Sequence, residues 1–439
     1  MSSRRSVSRE ILALAIPSLG AMVAQPIFLL TDSVMVGSLG TEPLASLGIA
    51  GTVVQTAVGL VIFLTYATTP MVARARGAGD VRGANIAGVQ GLWIAAILGL
   101  VLGAALWWSA PWLMGQFGAE PRVTAGAIEF VTISAVGIPA ALVGLAATGF
   151  LRGFGDARTP LRVAVAGFVL NAALNAVLIF GAGLGLAGSA IGTVIAQYVM
   201  TIALLIPVVI RVRQSGAPFA PGIIGLQAVA LSGSWLLLRT LSLRISIVWF
   251  VAVAANMGSE VIAAVHIVST ILGFIALVLD ALEVPAQTLV GESLGAGDGA
   301  RVRRVARIIV VFAIGSGAAL GALLAASAWL IPWAFTRDQT VADLITAGLV
   351  VVATSLPMAG FVFALDGILI GAGDGKYLAA TGALNLAMAA PGFVIVGAMG
   401  HGIWGIVALQ MVWSYLYLGS RALTLGIRAR GNRWMVFGR

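Results

Sequence analysis

The chain reads as a succession of long apolar stretches separated by short polar turns. Windows of about 19 residues place twelve of them, at 11–38, 44–73, 85–109, 123–149, 160–184, 187–210, 233–256, 261–290, 306–332, 341–369, 377–399 and 402–425. These match the roughly 20 residues that a helix needs to cross about 30 Å of hydrocarbon. Barrel strands would show about ten residues of alternating polarity instead. The predicted fold is therefore all-α and membrane-integral, with twelve transmembrane helices that satisfy their own backbone hydrogen bonds. The first stretch is too long for a signal-peptide core and ends at no small-residue cleavage site, so it reads as a retained helix.

Composition agrees. Of 439 residues, 60% are hydrophobic and 9% are charged, with no cysteine. A soluble domain carries about 25% charged residues, so a water-soluble globule, a disordered chain and a disulfide scaffold are all excluded. The net charge of +9 raises the question of a nucleic-acid partner, and the positions of the charges answer it. With the N-terminus inside, all but Arg122 and Arg337 of the 25 basic residues fall on the inner side of the predicted spans, from Arg4 and Arg5 to Arg433 and Arg439. This positive-inside pattern predicts two cytoplasmic termini in a plasma membrane, with no nucleic-acid partner.

The chain also repeats itself. Gly77-Ala78-Gly79-Asp80 returns 218 residues later as Gly295-Ala296-Gly297-Asp298, Pro139 returns as Pro357, and Gly153-Phe154-Gly155-Asp156 returns as Gly371-Ala372-Gly373-Asp374. Six spans per repeat give two halves of like orientation, predicted to be parallel six-helix lobes related by a pseudo-two-fold axis along the membrane normal. The boundaries read as an N-lobe over 1–213, a linker over 214–232 containing a short interfacial helix, and a C-lobe over 233–439. In the repeated turns glycine supplies positive φ and the Asp is placed to cap the next helix. No Lys-Ser/Thr follows, so these are not phosphate loops. Trp108, Trp112, Trp329 and Trp333 fall at span ends, as an aromatic belt requires. Two like-oriented halves predict a cleft and alternating access, hence a transporter. No nucleophile–base or metal set suggests an enzyme.

Charges inside spans mark functional candidates, because each is costly in lipid. Asp32 stands alone in the first span, where a carboxyl without a cationic partner favours its neutral form and can exchange protons. Pro17 and Pro26 in the same helix each remove a ladder bond and permit bending. Asn171 and Asn175 lie four apart on one face of the fifth span, with Thr193 on the sixth; Asp32 is one possible partner for these amides, and plain interhelical packing is the other reading. Asp280 and Glu283 share a face of the eighth span, with Arg239 and Arg244 on the seventh. Arg244 is read as deep enough to need a counter-ion, and a pair joining spans seven and eight is set against a second proton or substrate-cation site. Asp366 is expected half hydrated near the inner end of span ten, Glu129 on a surface face, and His266 within the bundle. Two histidines make a metal site improbable, and no cofactor is expected.

Leu14-Ala15-Ile16-Pro17, Gln25 and Asp32-Ser33-Val34-Met35-Val36-Gly37, together with Leu151-Arg152-Gly153-Phe154-Gly155-Asp156-Ala157-Arg158-Thr159-Pro160, resemble the multidrug and toxic compound extrusion (MATE) family, closest to its DinF-type branch. The resemblance spans all twelve helices. It implies export of organic, often cationic and amphipathic compounds in exchange for H⁺ or Na⁺, from a monomer embedded in the bilayer. It carries the branch's cation site to Asp32, Asn171 and Thr193. Phe28 stands where the branch commonly has Tyr, and Asn175 where it commonly has a second acid. A single carboxylate favours H⁺ over Na⁺, as does Arg244 in a helix where the sodium-coupled branch carries an acid. On this reading Gln25, Phe28, Asn171 and Asn175 line the N-lobe cavity, and Asp280 and Glu283 attract cations in the other lobe. The alternatives are a Na⁺-coupled antiporter and a lipid-linked saccharide flippase of related build, which would show several deep basic residues.

Overall fold

A computed structural model describes residues 2–399 and 402–438, so Arg439 of the basic tail lies outside the described residues. The helices run α1 (Ser2–Gly37), α2 (Thr41–Leu60), α3 (Phe63–Gly77), α4 (Val81–Gly115), α5 (Pro121–Gly153), α6 (Arg158–Asn175), α7 (Gly185–Gln214), α8 (Ile223–Asn256), α9 (Ser259–Gly295), α10 (Gly299–Ser327), α11 (Gln339–Gly371), α12 (Gly375–Met399), α13 (Gly402–Met411) and α14 (Leu418–Arg430). Among the described residues, 12 helical stretches are long and apolar enough to cross a membrane. The second combines α2 and α3, which meet at a break at Val61–Ile62. The last combines α13 and α14 through a wide π-type turn over Val412–Tyr417. Span seven starts earlier than hydropathy suggested: α8 begins at Ile223, so residues 223–232 of the expected linker are part of that helix. The remaining connection is pinned to α4, where Trp93 Nε1 donates to the Phe219 carbonyl and Gln90 Oε1 accepts from the Gly222 N–H.

The repeat is visible in the backbone. The third residue of each repeated turn is in the left-handed region, with φ of 75° at Gly79, 82° at Gly155, 72° at Gly297 and 74° at Gly373. Asp80 accepts from Gly83 N–H, Asp298 from Arg301 N–H, and Asp156 from Thr159 N–H, as N-caps do. Asp374 accepts instead from Arg428 Nε at 2.6 Å.

Helix packing repeats too. On α4, a Cβ at Gly99 would lie 2.6 Å from Pro139 Cα and one at Gly103 2.7 Å from the Ala135 carbonyl of α5. On α10, Gly317 meets Leu356 and Pro357 and Gly321 meets the Ala353 carbonyl of α11, at positions 218 further on. Small residues here let the backbones touch, which is how helices associate in lipid without a hydrophobic driving force.

Two compact units emerge. One holds Ile16–Gly233, with apolar clusters around Val36, Met114 and Phe130 and around Val72, Phe150 and Val208. The other joins residues up to Ala15 with those from Ser234 onward, around Phe250, Leu356, Phe393 and Leu409. The early residues of α1 are tied into the latter by Glu10, which accepts from Arg301 at 3.0 Å.

Candidate functional site

In the unit Ile16–Gly233, polar side chains converge where α1, α6 and α7 meet. Asp32 of α1 is 6% exposed. Its Oδ1 accepts from Asn175 Nδ2 at 2.8 Å and from Ser189 Oγ at 2.6 Å. Asn175 Nδ2 also donates to Asn171 Oδ1 at 3.0 Å, and Asn171 Nδ2 to Thr193 Oγ1 at 3.1 Å. The chain of bonds thus reaches from the carboxylate across two helices. The structure brings together Asp32, Asn171, Asn175 and Thr193, and adds Ser189.

Local sequence explains the convergence. Asn171 and Asn175 are one turn apart on α6, and after Asn175 the helix widens into a π-type turn over Ala176–Gly181, a feature frequent at functional sites. On α7, Gly188 and Gly192 are also one turn apart. A Cβ at Gly188 would lie 2.9 Å from the Leu178 carbonyl, and one at Gly192 2.2 Å from Asn175 Oδ1. The two glycines let α7 close onto α6, and the residue after each, Ser189 and Thr193, joins the network. Ser189 was legible in principle through this small-xxx-small pattern.

The chemistry follows from the partners. Each hydrogen bond to Asp32 comes from a neutral donor, and among the described residues no basic side chain pairs with it. Both donors address Oδ1. Neither of these two donors engages Oδ2. Phe28, one turn before Asp32, stacks on Phe168 with ring centroids 5.2 Å apart, whereas Gln25 is exposed. Pro17 and Pro26 lie inside α1, which continues through both. Among the described residues no group of three or more His, Cys, Asp or Glu could hold a metal ion.

The other unit holds a different cluster, and here several expectations are corrected. Asp366 is 2% exposed rather than half hydrated: Arg239 of α8 pairs with both its oxygens, and Arg421 of α14 donates to Oδ2 at 2.6 Å. Two guanidiniums replace the expected water. The arginine that finds a buried counter-ion is therefore Arg239, not Arg244, and it reaches span ten. Arg244 is exposed. Five residues on a helix turn about 140°, so the two arginines cannot share a partner face. Glu283 is buried, Asp280 half-buried, and both lie within electrostatic reach of Asp366 and Arg239. Glu129 is exposed as expected, while His266, expected within the bundle, is exposed as well. Arg421 went unrecognised because it stands with the basic inner-end residues that the positive-inside pattern already explains.

Comparison with known proteins places these features in a family. The MatE family model matches residues 17–177 and again 234–392, two stretches whose starts are 217 residues apart. Protein DETOXIFICATION 44, chloroplastic, of Arabidopsis thaliana is 31% identical over 94% of this chain and 83% of its own length. DNA damage-inducible protein F of Escherichia coli is 26% identical over 90% of this chain and 86% of its own. Among solved structures, the Vibrio cholerae MATE transporter VcmN in its bent form superposes with a TM-score of 0.89 at 22% identity, covering 99% of this chain and 100% of that one. The twelve spans are arranged as in MATE transporters of known structure.

Proposed function

We propose, from the premise that this chain belongs to the MatE family of membrane transporters, that it is a proton-coupled antiporter. It exports organic, often cationic and amphipathic compounds by alternating access. The observation that carries this reading is the Asp32 site. One buried carboxylate held only by amide and hydroxyl donors changes charge by a single proton. A Na⁺ site would draw on more oxygen charge than one carboxylate and Thr193 offer, so Na⁺ coupling is the lesser alternative. The detoxification name of the plant relative supports an organic substrate, and the likeness to the Escherichia coli protein supports the DinF-type branch.

In this mechanism a proton from the outer side binds Oδ2 of Asp32. The neutral carboxyl no longer demands the donors of Asn175 and Ser189, and the end of α1 beyond Pro26 is released to bend. Pro26 supplies the flexible point, since its nitrogen carries no proton for the helix ladder. Gln25, Phe28, Asn171 and Asn175 line the cavity this rearranges, and Asp280 and Glu283 attract cations in the other lobe. The protein acts as a monomer in the plasma membrane with both termini cytoplasmic, as the arginine distribution suggests. The test is dye efflux and substrate-evoked proton movement in proteoliposomes, with and without Na⁺. Asp32→Asn, which keeps the shape of the site, reduces both at least tenfold at an unchanged melting temperature. Full activity of that variant overturns the role of Asp32, and movement that requires Na⁺ overturns proton coupling.

A further inference from the structure

The first turns of α10 carry Arg301, Arg303, Arg304 and Arg307, and the fold divides them. Arg301 turns inward and pairs with Glu10. The other three surround an open hollow of about 280 Å³, completed by Ala300 and Ile308, with no carboxylate in its lining. Arg303, Arg304 and Arg307 are exposed. Below them, on the same side of the helix, come Val311 at 61% exposure, Ile314 at 37%, and the small exposed residues Gly315, Ala318 and Ala322. Positions 303, 307, 311, 314, 318 and 322 recur every three or four residues and so form one stripe. A guanidinium-lined hollow therefore opens directly onto a smooth apolar track along a membrane-crossing helix.

The internal repeat argues that this is more than the usual basic edge of a span. The positions 218 residues earlier, on α4, are Asn85, Ile86 and Val89, and the first turns of α4 carry one arginine, Arg82, where those of α10 carry four. Topological anchoring would act on both copies of the helix, because both begin on the same side of the membrane. Guanidinium forks match phosphate oxygens in paired hydrogen bonds, and basic pockets on transmembrane helices at the inner face hold anionic headgroups.

We propose that Arg303, Arg304 and Arg307 form a binding site for the phosphate of an anionic phospholipid, whose acyl chains lie along the Val311–Ala322 stripe of α10. The apolar track is what selects a lipid over a free phosphate. The site does not depend on which ion drives transport.

Native mass spectrometry of the full-length protein, titrated with phosphatidylglycerol or phosphatidylcholine of identical chains, tests it. One bound phosphatidylglycerol is expected to persist where phosphatidylcholine does not. Replacing two of the three exposed guanidiniums, Arg303→Gln with Arg307→Gln, weakens that binding about thirtyfold, on the basis of about 1 kcal/mol per basic residue near the surface. The same change at two exposed arginines elsewhere, Arg158→Gln with Arg213→Gln, leaves it unchanged. Equal retention of the two lipids, equal losses from the two double variants, or displacement of phosphatidylglycerol by millimolar inorganic phosphate would each overturn the proposal.

Discussion

The two halves of this transporter share a backbone plan and disagree about where polarity belongs. In the first half, Asp32, Asn171, Asn175 and Ser189 build a hydrogen-bonded site. At the matching positions of the second half stand Phe250, Ala389 and Phe393, with Ile406 matched to Ser189 through the glycines Gly188 and Gly405, and all four are buried in one apolar cluster. The reverse holds for the other cluster. Glu283, Gln287 and Asp366 correspond to Thr65, Thr69 and Thr148. The correspondence is physical: Gly149 of α5 abuts Thr65, and Gly367 of α11 abuts Glu283. Asp32 lies near the Gly37 end of α1 and Asp366 near the Gly371 end of α11. Duplication supplied the frame, and each copy then acquired its own buried polar set. One set has a lone carboxylate with neutral partners. The other has a carboxylate clamped by two guanidiniums.

That contrast can be broken experimentally. Asp366→Ala removes the carboxylate that both Arg239 and Arg421 grip and is expected to destabilise the protein by about 3–5 kcal/mol; a thermal melt in detergent matching that of the parent would show that the clamp is not structural. Replacing all three charges by Arg239→Met, Asp366→Leu and Arg421→Met should recover most of this loss. A methyl at Gly192, 2.2 Å from Asn175 Oδ1, must displace the Asn175 amide that donates to Asp32 or move α7 away from it. Gly192→Ala is therefore expected to cost about 1–3 kcal/mol and to abolish efflux, with unfolding and transport assays run on one preparation. Ser189→Ala removes one of the two donors to Asp32, a bond worth about 1.5–3 kcal/mol if the carboxylate is charged. Efflux should fall about tenfold and recover in Ser189→Thr, and equal activity of both variants would remove Ser189 from the site. Arg244→Gln sharpens the comparison from the other side: an exposed residue outside both sets should shift stability by less than about 0.5 kcal/mol and leave efflux unchanged.

The backbone plan was legible because its determinants are local. Span lengths, the glycines of positive φ and the capping Asp residues depend on neighbours in sequence, and repetition made them visible twice. Asp32, Asn171, Asn175 and Thr193 stood out because polar residues are scarce in apolar runs, although only the folded chain shows that Asn175, not Asn171, reaches the carboxylate. The C-terminal cluster was misread because depth alone cannot say which way a side chain points. Depth in a hydropathy window singled out Arg244 as the arginine in need of a counter-ion, yet helical rotation turns Arg239 toward Asp366 and leaves Arg244 exposed. Comparing the two copies position by position would have marked Asp366 and Glu283 as departures from threonine without any structure.

The glycine contacts between α4 and α5, and between α10 and α11, carry a kinematic consequence. Where backbone lies against backbone there is no side chain to change rotamer and no slack to absorb a slide, so each pair behaves as a single double-width strut. Any displacement during a transport cycle has to be found in helices joined through side chains. In the first half Gly188 of α7 lies against the Leu178 carbonyl just beyond α6 in the same way, which leaves α1, joined to both at Asp32 through side chains alone.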